Sequence, residues 1–492
     1  MAYDMANNAS NNDPSKRTPC VEAMRDTTEM ITAIMGGTDT MREARAKYLP
    51  KFPAETEASY EIRLKTATMY PAYQHTVGVM AGKPFARPIT VPEEMDKTLA
   101  GWLQNADNEG RNLDTVAAHG FESCVAYGQV HFFVEHMRAP STADGRPLSV
   151  DEERKAGMRP YVVVVNLGQL IGFTHEKGRL TQVRYMESIE QKDGDFGVKV
   201  VPQIRVLEPG KWTTMRKPEA PAADGTSTWT VFETGLTAPL TEIPFVTAYG
   251  KRTGFMTSRP PLKELAHLNI KHWQSQSDQD TLMHVARVPI LTVAGVDDGF
   301  ELQVGTKAAV KLPVNATMSY TEHSGAAIGA GKVSLDDLKE EMRQAGSEMM
   351  VARFTQATAT EVGAEESGNK SDLQRIAQGF EDALDTVVNF MSQYRNIENK
   401  AELTVFKEFG VIEAGHVTAP VIIQAQTAGL LSKESAYEEL QRRGVVSPDR
   451  TWEDEQARME DEGPPVGDTD PLTGLPYKEP VPPTPPTPPT KK

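Results

Sequence analysis

The stretch that decides the fold is "SDLQRIAQGFEDALDTVVNFMSQYR", residues 371–395, which has the pattern of a capped amphipathic helix. Ser371 is suited to cap the first turn, and Gln374 occupies the reciprocal position of a capping box. Large apolar side chains then recur three and four residues apart, at Leu373, Ile376, Phe380, Leu384, Val387, Met391 and Tyr394. This spacing predicts a long helix with one wide buried face.

The preceding stretch, "TQATATEVGAEESGNK" at residues 355–370, has the opposite character, because Val362 is its one large apolar residue. It carries three glutamates, two glycines and one lysine, which are Glu361, Glu365, Glu366, Gly363, Gly368 and Lys370. Connections of this length without structure are uncommon in compact domains and are usually functional or disordered. We therefore expect a polar loop whose two ends are held by helices.

The helix on the other side of this loop is predicted over residues 334–354. Ser334 can cap it, with Asp337 at the reciprocal position and Asp336 favourable to the helix dipole. Its apolar residues are Leu335, Leu338, Met342, Ala345, Met349 and Ala352. Alternating steps of three and four residues form a narrow seam of the coiled-coil type, suited to packing against another helix.

Further towards the N-terminus, residues 260–286 predict a long helix with proline at its start, where proline is tolerated. In its second half, from Lys271 to Thr281, Trp273 is the one large apolar residue, so much of that surface is expected to face water or a polar lumen. Residues 125–258 alternate between apolar and polar side chains and predict strands. Residues 21–125 are dominated by helical patterns.

Shorter elements complete the predicted order. Strands are expected in "VPILTVAG", "KAAVKLPV" and "AELTVFKEFGV", and helices in "SKESAYEELQRRGVV" and the acidic "DRTWEDEQARMEDE". The proline-rich end, "PVPPTPPTPPTKK", predicts a polyproline-II tail, either plainly solvated or a ligand for a proline-binding domain. Residues 1–20, rich in Asn, Ser and Asp, are expected to form a mobile arm.

Composition limits the class of protein. The chain has 492 residues and a formal net charge of -16, which opposes a broad electrostatic grip on nucleic acid but leaves a repelling DNA conduit open. Cys20 and Cys124 lie in unlike contexts and form no metal-binding or disulfide spacing, as expected in a reducing cytosol. No run of 18 apolar residues occurs, and the N-terminal residues lack the apolar core of a signal peptide. We expect a protein that neither spans a membrane nor is exported by the usual route.

Two patterns that resemble chemical motifs fail on spacing, and a third motif is absent. In "GAAIGAGKV", Gly325 and Gly331 enclose five residues where a phosphate-binding loop needs four, and Val333 replaces the hydroxyl residue. In "HFFVEH", His131 and His136 are five residues apart, which on a strand places them on opposite faces. No Gly-x-Ser-x-Gly elbow occurs. We therefore predict no catalytic, cofactor-binding or metal-binding residue, and no enzyme.

Three segments, in order, resemble a known family. The first is "YLPKFPAETEASYEIRLKTATMYPAYQHTVGVMAGKPFARP", and the second runs from "GKRTGF" through "PPLKELAHLNIKHWQSQSDQDTLMHVARVPILTVAG". The third is "TATEVGAEESGNKSDLQRIAQGFEDALDTVVNFM". Together they resemble the portal proteins of tailed bacteriophages, from about Tyr48 to Gly444. The resemblance implies a ring, usually of twelve subunits, at one vertex of the capsid.

The resemblance also implies an α+β portal fold, with a wing, a two-helix stem, a small α/β clip, a tunnel loop with a long helix, and a short helical crown. In this sequence the expected parts are an arm at 1–20, wing at 21–259, first stem helix at 260–286, clip at 287–333, second stem helix at 334–354, tunnel loop at 355–370, long helix and wing return at 371–430, crown at 431–462 and disordered tail at 463–492.

The same resemblance assigns roles to residues and partners. The tunnel loop, with Glu361, Val362, Gly363, Glu365, Glu366, Gly368 and Lys370, would project into the DNA channel. The stem seam of Leu335, Leu338, Met342, Ala345 and Met349 would pack between neighbouring subunits, and His323, Gly325 and Lys332 of the clip would contact partners. Expected partners are further copies, the terminase large subunit, the head-tail adaptor, major capsid and scaffolding proteins, and double-stranded DNA bound without sequence preference.

The expected location is the virion, at the portal vertex, after assembly in the host cytoplasm. No cofactor is expected. Two other readings stay open at this point: another capsid or tail structural protein of a phage, and an enzyme acting on nucleic acid or cell wall. The second would need a catalytic constellation that the sequence does not offer.

Overall fold

A computed structural model describes the greater part of the chain. The described residues are 13–137, 152, 155–218, 228–237, 239–287, 290–296, 312, 314–321, 326–350, 370–407, 415–442, 445–447 and 450–462. The chain divides into two units, residues 1–407 and 408–492. Among the described residues, all strand pairs are antiparallel and helices and strands occupy separate stretches of sequence, which confirms the predicted α+β class.

The first stretch of the larger unit is helical, as predicted. Its helices are α1 (Pro19–Met35), α2 (Gly37–Glu43), α3 (Glu57–Thr66), α4 (Ala72–Gly82), α5 (Lys97–Leu103) and α6 (Leu113–Tyr127). The guanidinium of Arg63 on α3 donates to the carboxylate of Glu55 at 2.8 Å, and both side chains are almost fully buried. Arg63 also donates to the carbonyl of Pro50 at 2.7 Å. This buried pair ties α3 to the loop that precedes it.

The strands follow as ten elements. They are β1 (Gln129–His136), β2 (Pro160–Asn166), β3 (Leu170–Glu176), β4 (Arg179–Asp193), β5 (Gly197–Glu208), β6 (Lys211–Arg216), β7 (Thr230–Leu236), β8 (Phe245–Tyr249), β9 (Lys251–Gly254) and β10 (Thr257–Arg259). One sheet has the order β2-β1-β8, a second is the meander β3-β4-β5-β6-β7, and β9 pairs with β10. The predicted strand-rich stretch is thereby confirmed.

Strand β1 is the central strand of the smaller sheet, and its two faces pack against different partners. On one face, Phe132 packs edge-on against Phe380 with ring centroids 5.7 Å apart. On the other face, Phe133 lies 6.3 Å from Tyr185 of β4, which belongs to the five-stranded sheet. His131 and His136 fall on opposite faces, as strand alternation predicted. His131 bonds to Thr247 at 2.9 Å and His136 to the carbonyl of Met137 at 2.8 Å.

The remaining helices of the larger unit are α7 (Lys263–Ala286), α8 (Ala326–Ser347) and α9 (Asp372–Gln393), and a ribbon of β11 (Ile290–Ala294) and β12 (Thr317–Thr321) lies between α7 and α8 in sequence. Helix α9 packs on β8 and β1. All seven residues of its predicted apolar stripe are buried. The capping box is also present, since the Ser371 hydroxyl accepts from the Gln374 amide and the Gln374 side chain accepts from the Ser371 amide.

Loss of this cap has a measurable cost. Replacing Ser371 by alanine is expected to lower the free energy of unfolding by about 1 kcal/mol, because the Gln374 amide, 3.2 Å from the Ser371 hydroxyl, loses its acceptor at a buried helix start. Urea denaturation measures the change. Gln393→Ala, an exposed change at the other end of α9, is the matched control and should stay within about 0.5 kcal/mol of the parent. Equal effects of the two changes would contradict the assignment.

One predicted strand differs from the structure, and another is not tested by it. Residues 401–407 form no strand and make a single bridge, between Thr404 and Thr90, so the predicted strand in "AELTVFKEFGV" is wrong over its described part. Side-chain bonds hold this segment instead: the Asp385 carboxylate accepts from the Leu403 amide at 2.7 Å, and Glu381 accepts from the Val405 amide at 2.7 Å. The predicted strand "KAAVKLPV" lies almost wholly outside the described residues.

The smaller unit contains three described helices, α10 (Gly415–Thr427), α11 (Lys433–Arg442) and α12 (Trp452–Glu462). The last two were predicted. Helix α10 was not, because Pro420 falls inside it and reads as a helix breaker. Tyr437 of α11 and Trp452 of α12 pack with ring centroids 5.5 Å apart.

Candidate functional site: the antiparallel helix pair

Helices α7 and α8 lie side by side and run in opposite directions. The Gln279 side chain of α7 donates to the carbonyl of Ile328 near the start of α8, at 3.0 Å. Further along, the Lys339 ammonium of α8 lies 5.9 Å from the ring of Tyr70. The centroid of that ring lies 5.3 Å from the centroid of the His272 ring on α7. Residue numbers fall along α7 as they rise along α8, which defines an antiparallel pair. The β11-β12 ribbon lies between the two helices in sequence.

Helix α8 begins earlier than the sequence predicted. It starts at Ala326, so Ser334 lies inside it and is not its cap, and Lys332 lies on the helix and not in an exposed clip loop. The reason is tertiary packing at Gly331. A Cβ atom there would lie 2.0 Å from the Gln279 side-chain oxygen, so glycine leaves the space that the Gln279 amide occupies. Packing against α7 thus extends α8 through a glycine-rich stretch of low helix propensity.

The apolar seam of α8 is buried within a single chain. Leu335, Leu338 and Met342 are at most 6% exposed, and Met349, in the short 3-10 turn Glu348–Met350 after α8, is 5% exposed. Ala345 is half-buried. Helix α8 packs against α7 and α4, so the seam has helix partners in its own chain. Its packing against a neighbouring subunit stays a prediction.

The polar half of α7 faces water over part of its surface only. Lys271, Asp278 and Asp280 are exposed, whereas His272, Ser277 and Gln279 are at most 8% exposed, along with Trp273. Asn269, just before this half, is fully buried. Asn269 accepts from the Tyr73 amide and donates to the Tyr70 carbonyl, both at 2.9 Å. Buried polar groups are usually hydrogen-bonded, and these bonds anchor α7 to the start of α4. The sequence does not reveal this role of Asn269, because the backbone groups that it binds are about two hundred positions away.

His272 is a buried histidine at the centre of this interface. It is 2% exposed, and neither ring nitrogen has a hydrogen-bond partner among the described residues. Burial, and then the nearby ammonium of Lys339, lower its pKa, which favours the neutral form. The imidazole packs at a tilt of 38° against the ring of Tyr70, as part of the packing between α7, α8 and the first lobe.

Several residues that the sequence singled out lie outside the described part of the chain. These are Glu361, Val362, Gly363, Glu365, Glu366 and Gly368 of the tunnel loop, His323 and Gly325 of the clip, and Ala352 of the seam. Lys370, at the end of the loop, is described, and its ammonium donates to the Gln378 side chain at 2.8 Å. Lys370 is thereby held against the first turns of α9.

The described residues contain neither a group suited to a metal ion nor a helix suited to span a membrane. No cluster of three or more His, Cys, Asp and Glu side chains there is arranged to hold a metal ion. None of the described helices combines the length and apolar character needed to cross a membrane. Cys20 is exposed and Cys124 is buried, and both are free thiols.

Comparison with known proteins gives one family match and several structural likenesses. The model of a family described as a domain of unknown function, DUF4055, matches residues 261–395, which span α7 to α9. No curated protein matches the chain. The structure is similar to a chain in the neck of a native gene transfer agent particle, at 11% identity and a TM-score of 0.37, covering 75% of this chain and 89% of that one.

A chain in the virion of a native gene transfer agent particle is similar at 12% identity and a TM-score of 0.39, covering 84% of this chain and 98% of that one. A chain in the neck of an empty particle is similar at 11% identity and a TM-score of 0.37, covering 75% and 90%. Likenesses at these scores do not establish a common fold. The family model matches the segment that contains the antiparallel helix pair and the capped helix α9.

Proposed function

We propose that this chain is a structural protein of a tailed phage or phage-like particle, and specifically one subunit of the portal ring. Double-stranded DNA would be packaged and ejected through the ring, which would also dock the terminase motor and then the head-tail adaptor. The supporting observation is the order of elements: an antiparallel helix pair, α7 and α8, joined through a small β ribbon and followed by the capped helix α9. The second and third sequence segments that resemble portal proteins lie within this order, and the first precedes it in the chain.

The charge on α8 also favours a channel wall that DNA can slide along. Its exposed charged residues in Ala326–Ser347 and the following turn are acidic at five positions and basic at two: Asp336, Asp337, Glu340, Glu341 and Glu348 against Lys332 and Arg343. Phosphate contacts by Lys and Arg supply most sequence-independent affinity for DNA. A surface with the opposite excess binds DNA weakly, which suits a conduit that must not hold its cargo.

Electron microscopy of the purified full chain tests the proposal. Closed rings with an axial hole wide enough for duplex DNA are expected. A monomer at micromolar concentration, together with failure to form rings when capsid and scaffolding proteins are co-expressed, would overturn it. Filaments or closed shells without an axial hole would favour another capsid or tail structural protein.

The tunnel loop provides a functional prediction. Glu361, Glu365 and Glu366, repeated around the ring, would form a weakly repelling constriction. Replacing all three with lysine should slow DNA packaging or stall it, because cationic side chains bind phosphate where glutamates repel it. The packaging rate in a motor-driven assay is the measurement.

Neutral substitutions separate this role from that of a merely solvated loop. The triple change of Glu361, Glu365 and Glu366 to glutamine keeps the shape and removes the charge. A repelling constriction predicts an intermediate packaging rate, whereas a loop that only prevents sticking predicts no change. Parental rates in both the lysine and the glutamine variants would exclude any role of these charges.

The clip contact also stays a proposal, with a revised test. His323, Gly325 and Lys332 were assigned to one exposed loop, but Lys332 is an exposed residue of α8. Deleting residues 325–329 would remove the first turn of α8 and confound loss of contact with loss of structure. Point changes to aspartate at His323 and Lys332 are therefore the appropriate test of motor or adaptor binding.

A further inference from the structure

A cavity of about 1020 Å³ lies beside β8, between β8, the β3-β4 turn and α9. Its lining includes the buried residues Phe245 and Met256. The half-buried rings of Tyr249, Phe255 and Phe390 also line it. The cavity therefore presents a cluster of four aromatic rings to an incoming side chain, within a lining that also carries charged and hydroxyl residues.

The backbone of β8 is open on the side of this cavity. Among the described residues, β8 is an edge strand of the three-stranded sheet. The Gly250 amide donates to the Gly128 carbonyl at 2.7 Å and the Val134 amide to the Pro244 carbonyl at 2.9 Å. Because antiparallel pairing alternates, the backbone groups of Thr247 and Tyr249 point away from β1. An extended segment of another chain can bond to such an edge.

The tip of the β4-β5 hairpin, in contrast to the cavity, is a protruding surface with exposed apolar side chains. Phe196, in the turn between the strands, has 102% relative exposure, and Val198 and Val200 beside it are 65% and 58% exposed. Isolated apolar residues on a surface are ordinary, but a cluster with a fully exposed aromatic ring marks an interaction site. Aromatic side chains that insert into a pocket carry much of the binding energy at interfaces.

The hairpin tip and the cavity lie at opposite ends of β4. Residues 176–181, at the first end of β4, line the cavity, and the tip follows Asp193 at the other end. Fifteen residues of strand span about 45 Å. A chain therefore cannot fill its cavity with its own Phe196, and a contact between tip and cavity joins copies head to tail. Head-to-tail contacts close into rings when the rotation between copies permits.

The cavity carries a small excess of basic residues and the hairpin tip a small excess of acidic residues. Around the cavity stand three basic and two acidic residues: Lys177, Arg179, Arg252, Glu176 and Glu242. Around the tip stand three acidic and two basic residues: Glu190, Asp193, Asp195, Lys192 and Lys199. Complementary charge aids encounter and orientation of two surfaces more than it adds affinity.

We propose that the occupant of the cavity is a second copy of this chain, whose Phe196 inserts between Tyr249, Phe255 and Phe390 beside the open edge of β8. The inference deepens the proposed ring and rests on it, because it names the surfaces through which neighbouring subunits would join. Asp193 and Asp195 of the inserting copy lie next to Lys177 and Arg252 at the mouth.

Substitution at the tip gives the first test. Phe196→Ser should weaken self-association at least about tenfold, because an aromatic anchor is lost. Its melting temperature should match the parent, since Phe196 contributes no burial within one chain. Tyr320→Ser, which removes a 65% exposed ring from β12, is the matched control. Parental association of Phe196→Ser, measured by sedimentation, would overturn the inference.

Cross-linking gives the second test and separates this inference from the proposed function. In a Cys20→Ser background, chains with Phe196→Cys are mixed with chains carrying Thr386→Cys, an exposed residue that lines the cavity. Disulfide-linked dimers should exceed those from a mixture of Tyr320→Cys with Thr386→Cys. Rings without excess cross-linking would overturn the inference alone, excess cross-linking without rings would overturn the portal proposal alone, and absence of both would overturn both.

Discussion

Arg205→Met is expected to lower the free energy of unfolding by about 3–5 kcal/mol, a large part of the stability of a domain. Arg205 is 4% exposed on β5, and its guanidinium donates to Glu135 of β1 and to Glu187 of β4, each at 3.0 Å. It therefore links the three-stranded sheet to the five-stranded sheet. Removing one member of a buried ionic group leaves the other charges without compensation.

The Arg205 group contains further contacts that depend on its charge. Burial opposes the charged guanidinium, but Tyr185, Glu135 and Glu187 around it outweigh burial and raise its pKa. The same guanidinium lies 5.1 Å from the ring of Trp212. Methionine preserves volume but not these interactions, so the predicted loss is electrostatic and not a packing defect.

A compensated variant distinguishes these causes. Arg205→Met combined with Glu135→Gln and Glu187→Gln removes all three charges, and most of the lost stability should return, because neutral buried groups need no counter-charge. Chemical denaturation of the three proteins, parent, single and triple, measures the effect. A single-variant loss below about 1 kcal/mol, or an equal loss in the triple variant, would contradict a charge-based role for Arg205.

Local signals in the sequence predicted elements well where local interactions determine them. The Ser371 capping box and the apolar stripe of α9 need only residues within the helix and one buried face, and both are present. Strand alternation likewise placed His131 and His136 on opposite faces of β1. In each case the deciding periodicity is contained in a few consecutive turns or pleats.

Predictions failed where distant residues decide the structure. Ser334 has the local signature of a helix cap, yet α8 starts at Ala326, because Gln279 of α7 packs against Gly331. Polar residues in the second half of α7 predicted a surface facing water or a polar lumen, yet Gln279 among them is buried and donates to the Ile328 carbonyl. A polar side chain reads as exposed from sequence unless its partner is known.

In the candidate site, too, the sequence predicted what local residues determine and missed what distant residues determine. Sequence spacing identified the seam of α8, but not that α7 and α4 of the same chain cover it. The cavity beside β8 was not predicted, because its lining comes from Pro209 and three separate stretches, 176–181, 241–256 and 386–390. Phe196 was not predicted as a contact residue either, although an aromatic residue in the polar turn "DGDFG" is a local signal of exposure.

Gly128→Ala is the second change with a large expected effect, because Gly128 lies where three elements meet. It follows α6 and precedes β1, with φ at 90°. Its amide donates to the Cys124 carbonyl at 2.9 Å, and its carbonyl accepts from the Gly250 amide at 2.7 Å. A Cβ atom would lie 2.7 Å from the backbone of Arg259 and Pro260, which lead into α7.

Both conformation and contact oppose a side chain at Gly128. The left-handed backbone costs about 1–2 kcal/mol for an L-residue, and displacing backbone atoms by overpacking costs about 1–3 kcal/mol more. We expect the free energy of unfolding to fall by about 2–5 kcal/mol in total, measured by urea denaturation. Because the clash is with the segment that starts α7, the displaced atoms are those that set the direction of the helix pair.

Gly110→Ala separates the two causes of this loss, because Gly110 has φ at 100° and no atom within 4 Å of its would-be Cβ. It should lose only the conformational part, about 1–2 kcal/mol, and should assemble into the proposed ring as readily as the parent. Gly128→Ala should assemble into the proposed ring less readily even at temperatures where it is folded, since displacement of Arg259 and Pro260 reorients α7 and α8. Equal losses of stability in the two variants would show that backbone conformation alone, and not contact with Arg259 and Pro260, requires glycine at position 128.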